Sequence, residues 1–184
     1  MGLALAEHAA QRGGDVTLVH GWISETPSPF VKAVPVTSAA EMLDAVESAF
    51  NSADIVIKAA AVADYRPANP SDSKTKKSDG DMNIPLERTV DILKTLGEKK
   101  RNNQFLCGFS MDTENVVAYA HEKLVSKNLD MIVSNSLKVC GAGFGTDTNV
   151  ITIITSGGVM DFPIMSKCDC ARVIIDEIIR LAQK

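Results

Sequence analysis

The sequence predicts an α/β fold in three layers, with a mostly parallel sheet between two layers of helices. Short runs rich in Val and Ile alternate along the chain with amphipathic stretches of helix length, which is the order typical of a parallel sheet with crossover helices. The chain has 184 residues, 45% hydrophobic and 23% charged, enough to bury a substantial core. We therefore expect residues 1–184 to form a single domain.

Composition argues against several classes of protein. The net charge of −4 disfavours a nucleic-acid partner, because such domains are usually basic. No apolar run approaches the roughly 18 residues of a membrane span, and the N-terminus lacks the basic flank of a signal peptide. The four cysteines form no CxxC pair and the three histidines share no ligand spacing, so nothing indicates a zinc site. We expect a cytoplasmic protein with no membrane or nucleic-acid partner.

Periodicity and capping signals predict the individual elements. Predicted strands cover residues 15–20, 32–36, 54–60, 104–109 and 131–134. Predicted helices cover residues 3–11, 38–50, 90–100, 116–127 and 166–181. Ser38 and Glu41 have the spacing of a capping box, and Gly13 follows the first helix as a C-terminal cap. Near the C-terminus, two β-rich runs flank Ser156-Gly157-Gly158, which predicts a hairpin over residues 150–162.

Two features depart from a standard doubly wound sheet. The chain opens on a helix, whereas such folds begin with a strand and a glycine-rich turn. We therefore expect the first strand to be missing and the domain to be N-terminally incomplete. The second feature is the stretch 65–83, which is rich in Pro, Asp, Ser and Lys and has no apolar period. A loop this long is usually functional or mobile, which predicts a mobile flap over about residues 66–83.

Asp64 is a candidate metal ligand. It follows the predicted strand 54–60, where a parallel sheet presents its carboxyl end and ligands bind. A single carboxylate suits Mg²⁺, which often takes only one or two protein ligands. The alternative is that Asp64 caps a turn beside Arg66, a common use of loop carboxylates. The sequence leaves both interpretations open.

Lysines form two further candidate groups. Lys74-Thr75-Lys76-Lys77 lies in the predicted flap and is either a solvated charge run or a set of ammonium groups that closes over an anion. Lys123 and Lys127 are four residues apart on a predicted helix, so they share one face. They are either ordinary exposed lysines or a pair that binds phosphate.

A competing motif points to a different enzyme class. Tyr119 and Lys123 fit the pattern Y-x-x-x-K, which short-chain dehydrogenases use for hydride chemistry. Short patterns of this kind often arise by chance. A dinucleotide enzyme also needs an acidic residue or Arg after its second strand to contact the ribose, and here that strand ends in His20-Gly21. The hypothesis of an NAD(P)-dependent short-chain reductase therefore ranks second.

Several segments together resemble the phosphopantothenoylcysteine synthetase family, the phosphopantothenate–cysteine ligases of coenzyme A biosynthesis. They most resemble the bacterial CTP-dependent form, usually the C-terminal half of a bifunctional protein. Each segment is weak alone, but their order and spacing are specific. The matching segments are the helix start at Met1-Gly2, residues 59–67 (AAAVADYRP), 74–77 (KTKK), 90–93 (VDIL), 108–109 (GF), 127–135 (KNLDMIVSN) and 143–149 (GFGTDTN).

The resemblance implies a Rossmann-like fold and a reaction in two steps. CTP activates the carboxylate of 4′-phosphopantothenate as an acyl-cytidylate and releases pyrophosphate, and the amine of L-cysteine then displaces CMP. It also implies Mg²⁺, no flavin in this domain, a homodimer, and fusion to or pairing with a flavin-dependent phosphopantothenoylcysteine decarboxylase domain. We expect the C-terminal hairpin to form part of the dimer interface.

The resemblance also implies roles for particular residues. Asp64 would hold the metal and Lys74 would stabilise charge on the intermediate, which Ala60 and Ala61 would approach through their backbone. Nucleotide binding would involve Val90, Asp91, Ile92, Leu93, Phe109, Lys123 and Lys127. The family usually has Pro in place of Val90, and Ala-Ala-Glu-Thr in place of residues 110–113. A third hypothesis, a non-catalytic nucleotide-binding or dimerisation fragment, follows from the missing first strand.

Overall fold

Five helices and eleven strands form in the part of the chain that the structure describes. The structure is a computed structural model and describes residues 1–71, 73–74, 76, 82–111, 116–135 and 145–183. The helices are α1 (Gly2–Gln11), α2 (Ala39–Phe50), α3 (Ile92–Lys99), α4 (Val116–Ser126) and α5 (Lys167–Ala182). The strands are β1 (Val16–His20), β2 (Val31–Pro35), β3 (Ile55–Lys58), β4 (Tyr65–Pro67), β5 (Leu86–Arg88), β6 (Phe105–Ser110), β7 (Met131–Asn135), β8 (Thr148–Asn149), β9 (Ile151–Thr155), β10 (Gly158–Asp161) and β11 (Met165–Ser166).

The central sheet has five strands in the order β10-β9-β7-β6-β3. The strands β3, β6 and β7 pair in parallel, and the hairpin β9–β10 adds to the edge at β7 with antiparallel pairing. Four of the five strands therefore run in one direction. The α/β prediction is confirmed, and so is the C-terminal hairpin. The strands β1 and β2 pair in parallel as a separate two-stranded sheet.

Helices cover both faces of this sheet, as the three-layer prediction requires. On one face, α5 and Leu5 of α1 pack against Cys107, Met131 and Ile153. On the other face, α2, α3 and α4 pack against Leu106, Ile132 and Ile154. These sheet residues are buried almost completely, because β6 and β7 lie between two helical layers and are apolar on both sides.

The predicted caps at Ser38 and Gly13 are confirmed, and Ser166 caps the predicted C-terminal helix. The Ser38 hydroxyl accepts a hydrogen bond from the Glu41 amide at 3.1 Å, and the Glu41 carboxylate accepts one from Ser38. The Ser166 hydroxyl accepts from the Asp169 amide at 3.0 Å and starts α5. Gly13 follows α1 with φ of +88°, the left-handed conformation that glycine adopts without strain. These local signals fixed three helix ends within a residue or two of their predicted positions.

The stretch 65–83, predicted as a long loop, begins with a short strand. Tyr65–Pro67 forms β4, which pairs antiparallel with β5. Arg66 forms an ion pair with Glu87 at 2.7 Å, and the guanidinium of Arg88 lies 5.7 Å from the centre of the Tyr65 ring. No apolar alternation marks these strands, because both are exposed on every residue and cross-strand polar pairs hold them together. We call the β4–β5 pair, with the residues between, the arm.

Candidate active site

The carboxyl end of β3 lies beside the start of α3 and the end of α4. This junction holds Lys58, the last residue of β3; Asp91, which precedes α3; and Lys127, which follows α4. Asp91 and Lys127 form an ion pair with their side-chain atoms 2.7 Å apart. Asp64 lies on the loop after β3 and interacts electrostatically with Lys58. We call these four residues the corner.

Glycines bring the backbone segments of the corner close together. A Cβ atom at Gly97 of α3 would overlap the carbonyl oxygen of Lys127, so only glycine lets the end of α4 approach α3 this closely. A Cβ atom at Gly108 of β6 would lie 2.7 Å from Leu93, so the first turn of α3 presses directly on the sheet. The close packing of α3 thus places Asp91 at the carboxyl edge.

Asn128 fixes the backbone after Lys127. It has φ of +52°, a left-handed conformation that Asn tolerates better than most residues. Its side-chain amide donates to the carbonyl oxygen of Gly97 at 2.9 Å. Gly97 and Asn128 therefore set where Lys127 leaves α4, and the sequence analysis missed both roles.

Asp91 caps α3 as well as pairing with Lys127. Its carboxylate accepts a hydrogen bond from the backbone amide of Lys94 at 3.1 Å, the usual contact of a residue that caps a helix N-terminus. Burial alone would raise the pKa of Asp91, but the Lys127 ammonium, the Lys94 amide and Lys58 hold it below the ordinary value. Asp91 is therefore a carboxylate held in one place, and it orients Lys127.

Lys58 was absent from the residues predicted for the site. Its side chain is partly buried, and its ammonium donates to the carbonyl oxygen of Ala60 at 3.1 Å. Burial lowers the pKa of Lys58, while Asp91 and Asp64 act to raise it and Lys127 to lower it. The signal in the sequence was a lysine that ends the apolar run Ile55-Val56-Ile57, but periodicity alone gives such a residue no role.

Asp64 is exposed, and its loop is tied down by Thr89. The Thr89 amide donates to the carbonyl oxygen of Asp64 at 3.0 Å, and the Thr89 hydroxyl donates to that of Ala63 at 2.5 Å. Among the described residues, the Asp64 carboxylate forms no hydrogen bond or ion pair, and Arg66 bonds to Glu87. The interpretation of Asp64 as a turn cap beside Arg66 therefore finds no support.

The donor set at Asp64 fits Mg²⁺ better than a softer metal. The carboxylate is a hard oxygen donor and is accessible to a ligand, and Mg²⁺ commonly combines one carboxylate with phosphate and water oxygens. No group of three or more His, Cys, Asp or Glu side chains gathers around a common point in the described part of the chain. A site here would thus depend on a ligand that brings its own oxygens.

The other predicted residues divide between exposed and buried positions. Lys74 is exposed on the arm, and Ala60 and Ala61 are exposed after β3. Lys77 lies outside the described residues, as do residues 112–113 and 136–144. Val90 is 55% exposed, whereas Ile92 and Leu93 are buried in the core under α3. Any contact of Ile92 or Leu93 with a nucleotide would therefore come from the backbone.

Phe109 and residues 90–93 lie on opposite faces of the sheet. Phe109 packs partly buried against the cluster under α1 and α5, whereas Leu93 belongs to the cluster under α3 and α4. The side chains of Phe109 and Leu93 therefore do not form one continuous wall. Both reach the same carboxyl edge, so one ligand lying across that edge could contact both.

Lys123 lies one turn before Lys127. It lines a shallow surface depression with Tyr119, Glu122 and Ser126 of α4. The Y-x-x-x-K pair thus occupies one face of α4, as its spacing predicts. The same face leads towards Lys127 and the corner.

Unpartnered polar atoms mark the neighbouring strand ends. Ser110 of β6 lies beside Ser134 of β7 in the sheet register. Both hydroxyls are buried and lack a hydrogen-bond partner within the described structure. The side-chain oxygen of Asn149 is likewise buried and without a partner there. Such groups are uncommon in native proteins, and here they concentrate near the carboxyl edge of the sheet.

No helix in the described part of the chain is long and apolar enough to cross a membrane.

Comparisons with known proteins agree with this architecture. Residues 1–181 match the family model of the DNA/pantothenate metabolism flavoprotein C-terminal domain. The coenzyme A biosynthesis bifunctional protein CoaBC of Bacillus subtilis (strain 168) is 50% identical over 100% of this chain and 46% of that protein. A cysteine/cysteine sulfinic acid decarboxylase from an unknown prokaryotic organism is 48% identical over 98% of this chain and 51% of that protein.

A solved structure extends the match to three dimensions. The crystal structure of the C-terminal domain of a coenzyme A biosynthesis bifunctional protein CoaBC superimposes with a TM-score of 0.82 at 40% identity, over 100% of this chain and 83% of that one. The chain spans about half the length of the curated relatives it matches. It belongs to the family of DNA/pantothenate metabolism flavoprotein C-terminal domains, which confirms its resemblance to the phosphopantothenoylcysteine synthetases.

Proposed function

We propose that this chain is the ligase domain that joins 4′-phosphopantothenate to L-cysteine with CTP as co-substrate. The observation that carries the proposal is the corner at the carboxyl edge of the sheet, where the accessible carboxylate of Asp64 and the ion pair of Asp91 with Lys127 all act on Lys58. Parallel sheets bind ligands at this edge. The 50% identity to a coenzyme A biosynthesis protein over the whole chain supports the substrate class.

The reaction needs activation of a carboxylate, which is a poor electrophile. A carboxylate oxygen of 4′-phosphopantothenate attacks the α-phosphorus of CTP, which forms an acyl-cytidylate and releases pyrophosphate. The amine of cysteine then attacks the acyl carbon, loses a proton and displaces CMP. Because the nucleotide supplies the leaving group, the protein supplies positioning and charge neutralisation and needs no nucleophile of its own.

Charged residues at the edge of the sheet suit these tasks. Asp64 would hold Mg²⁺, which neutralises phosphate charge when bound. Lys127, held by Asp91, would bind phosphate oxygens together with Lys123 one turn earlier on the same helix. Lys74 would reach the site from the arm and stabilise charge on the acyl-cytidylate.

Backbone groups would complete the site. The peptides of Ala60 and Ala61 are exposed beside the corner, and their small side chains allow a ligand to approach closely. Val90, Asp91, Ile92, Leu93 and Phe109 would contribute to the cytidine site, with Ile92 and Leu93 acting through their backbone.

The proposed partners follow from the relatives. The relative in Bacillus subtilis is named as bifunctional, and this chain matches 46% of it, which favours fusion to or pairing with a flavin-dependent decarboxylase domain.

A homodimer is also proposed, with β10 as part of its interface. This strand lies at the edge of the central sheet and exposes 44% of Val159, as expected of an edge available for pairing.

Pyrophosphate release tests the proposal. The chain is mixed with CTP, 4′-phosphopantothenate, L-cysteine and Mg²⁺, and pyrophosphate and the amide product are measured. We expect pyrophosphate release that depends on 4′-phosphopantothenate. Asp64→Asn should reduce it at least about 100-fold, the scale of losing one electrostatic contact to a transition state. Asp15→Asn, which changes an exposed aspartate before β1, serves as the matched control and should retain activity.

Two outcomes would contradict the proposal. Absence of pyrophosphate release with every substrate present would leave a nucleotide-binding or dimerisation role. Binding of NADPH with no response to CTP would favour the reductase suggested by Tyr119 and Lys123.

A further inference from the structure

Lys58 occupies a position that the proposed roles leave unexplained. It ends β3 at the carboxyl edge, and its register partner on β6 is Gly108. Because paired residues of parallel strands point to the same face, Lys58 lies on the face of the sheet where Leu93 and Leu129 pack against Gly108. Burying an ammonium group costs free energy unless hydrogen bonds or charges replace its lost hydration. The contacts that the Lys58 ammonium makes therefore indicate its role.

The ammonium of Lys58 holds a specific peptide group. It donates to the carbonyl oxygen of Ala60 at 3.1 Å. A trans peptide is planar, and its N–H points away from its C=O. Fixing the carbonyl of Ala60 therefore fixes the N–H of Ala61 in the opposite direction, away from Lys58.

The Ala61 N–H is left available. It donates to no residue in the described part of the chain, and Ala61 is exposed. An oriented and unpartnered backbone N–H beside a cluster of lysines is the kind of group that stabilises negative charge on a substrate oxygen.

Lys58 has charged neighbours, but its ammonium makes its hydrogen bond to the carbonyl of Ala60. Asp91 of the α3 start, Lys127 of the α4 end and Asp64 of the loop after β3 all act on it. Asp91 bonds instead to Lys127 and to the amide of Lys94. Among the described residues, no carboxylate lies within ion-pair distance of Lys58, so Ala60 retains it.

We propose that Lys58 is a positioning residue, which holds the peptide between Ala60 and Ala61 so that the Ala61 N–H donates to an anionic oxygen of the reacting acyl-phosphate group. This inference rests on the proposed ligase function. It assigns Lys58 no direct contact with substrate. Its effect passes through one peptide group, and that distinguishes it from the phosphate-binding roles of Lys123 and Lys127.

The test combines kinetics with a measurement on the peptide itself. Lys58→Met removes the donor and keeps a long side chain, Lys58→Arg keeps a donor, and Lys32→Met replaces an exposed lysine of β2 as the matched control. We measure kcat, the KM for CTP, and the Ala61 amide resonance in protein labelled with ¹⁵N-alanine. The amide resonance reports on the peptide without requiring catalysis.

We expect Lys58→Met to lower kcat about 10- to 100-fold, at or below the range for losing one oriented donor, with the KM for CTP changed less than about threefold. The Ala61 resonance should shift in Lys58→Met, and Lys58→Arg should recover most of kcat. Lys32→Met should match the unmodified chain in both measurements.

Three results would overturn the inference: unchanged kcat in Lys58→Met, lost activity with an unchanged Ala61 resonance, or a Lys58→Arg variant as slow as Lys58→Met. If the unmodified chain shows no ligase activity, the proposed function fails. The amide resonance then still decides whether Lys58 holds the peptide.

Discussion

The corner and the arm supply charges to the same proposed site but are built in opposite ways. The corner rests on the core, because Asp91 begins a helix whose Leu96 is fully buried and Lys127 lies against Gly97 of that helix. The arm has exposed strands, and its contacts are polar pairs such as Arg66–Glu87. The charged side chains Asp91 and Lys127 of the corner therefore contribute to folding stability. The charged side chains of the arm lie on exposed strands and are accessible to a ligand. Substitution of Lys74 on the arm and of Gly97 beside the corner should therefore separate activity from stability.

The largest expected effect is on activity, from the arm. Lys74→Gln should lower the rate of amide formation about 100-fold, because an ammonium group that stabilises transition-state charge contributes on this scale. The melting temperature should not change, since Lys74 is exposed. Steady-state kinetics and thermal denaturation measure the two effects. Lys76→Gln, at an exposed lysine two residues along, is the matched control, and an equal loss of activity in it would show that only the net charge of the arm matters.

The next effect is on stability, from the corner. Gly97→Ala should lower the free energy of unfolding by about 1–3 kcal/mol, the usual cost of forcing extra volume into packed structure, because the new Cβ atom meets the Lys127 carbonyl. Urea denaturation measures it. Gly2→Ala is the control, since Gly2 also lies in a helix but has open space around it. Equal stability of the two variants would mean that α3 and α4 separate easily and that the corner is not rigid.

The smallest effect is a pH-dependent one at Asp91. Asn also caps helices well, so Asp91→Asn removes chiefly the charge pair with Lys127, which at a partly exposed site contributes about 0.2–1 kcal/mol. Because the pKa of Asp91 is lowered in the folded state, its stabilising contribution is present above the ordinary pKa of 3.8 and is lost as the pH falls through the folded value.

Denaturation of both proteins at a series of pH values checks this expectation. The difference in the free energy of unfolding between the chain and Asp91→Asn should be constant near neutral pH and shrink below pH 3.8. A difference that stays constant through this acidic range would show that the Asp91 carboxylate, and hence its pairing with Lys127, does not stabilise the corner.

The elements that sequence predicted well are those whose signals are local. The capping contacts of Ser38 and Ser166, the glycine at the end of α1 and the apolar runs of β6 and β7 each depend on neighbours within a few residues. Asp64 was singled out by its place after a strand, Lys127 by its helical spacing from Lys123, and Asp91 only through the family resemblance. All three act electrostatically on Lys58. Whether they bind CTP and Mg²⁺ stays a prediction.

Sequence patterns predicted neither the strands of the arm nor a role for Lys58. The strands β4 and β5 pair across an intervening stretch of 18 residues, 68–85, and their exposed polar pairs leave no periodic trace. The approach of Lys127 to Gly97 likewise joins segments 30 residues apart.

Sequence by itself determined the layered α/β architecture, the helix ends and the family, because periodicity, capping signals and motif order are recognisable from residues that lie close together in the chain. Only the tertiary structure decided that Asp91 orients Lys127 and that Ile92 and Leu93 belong to the core. Those arrangements depend on how closely two helices and a sheet pack, and packing distance is set by contacts between residues that are remote in sequence.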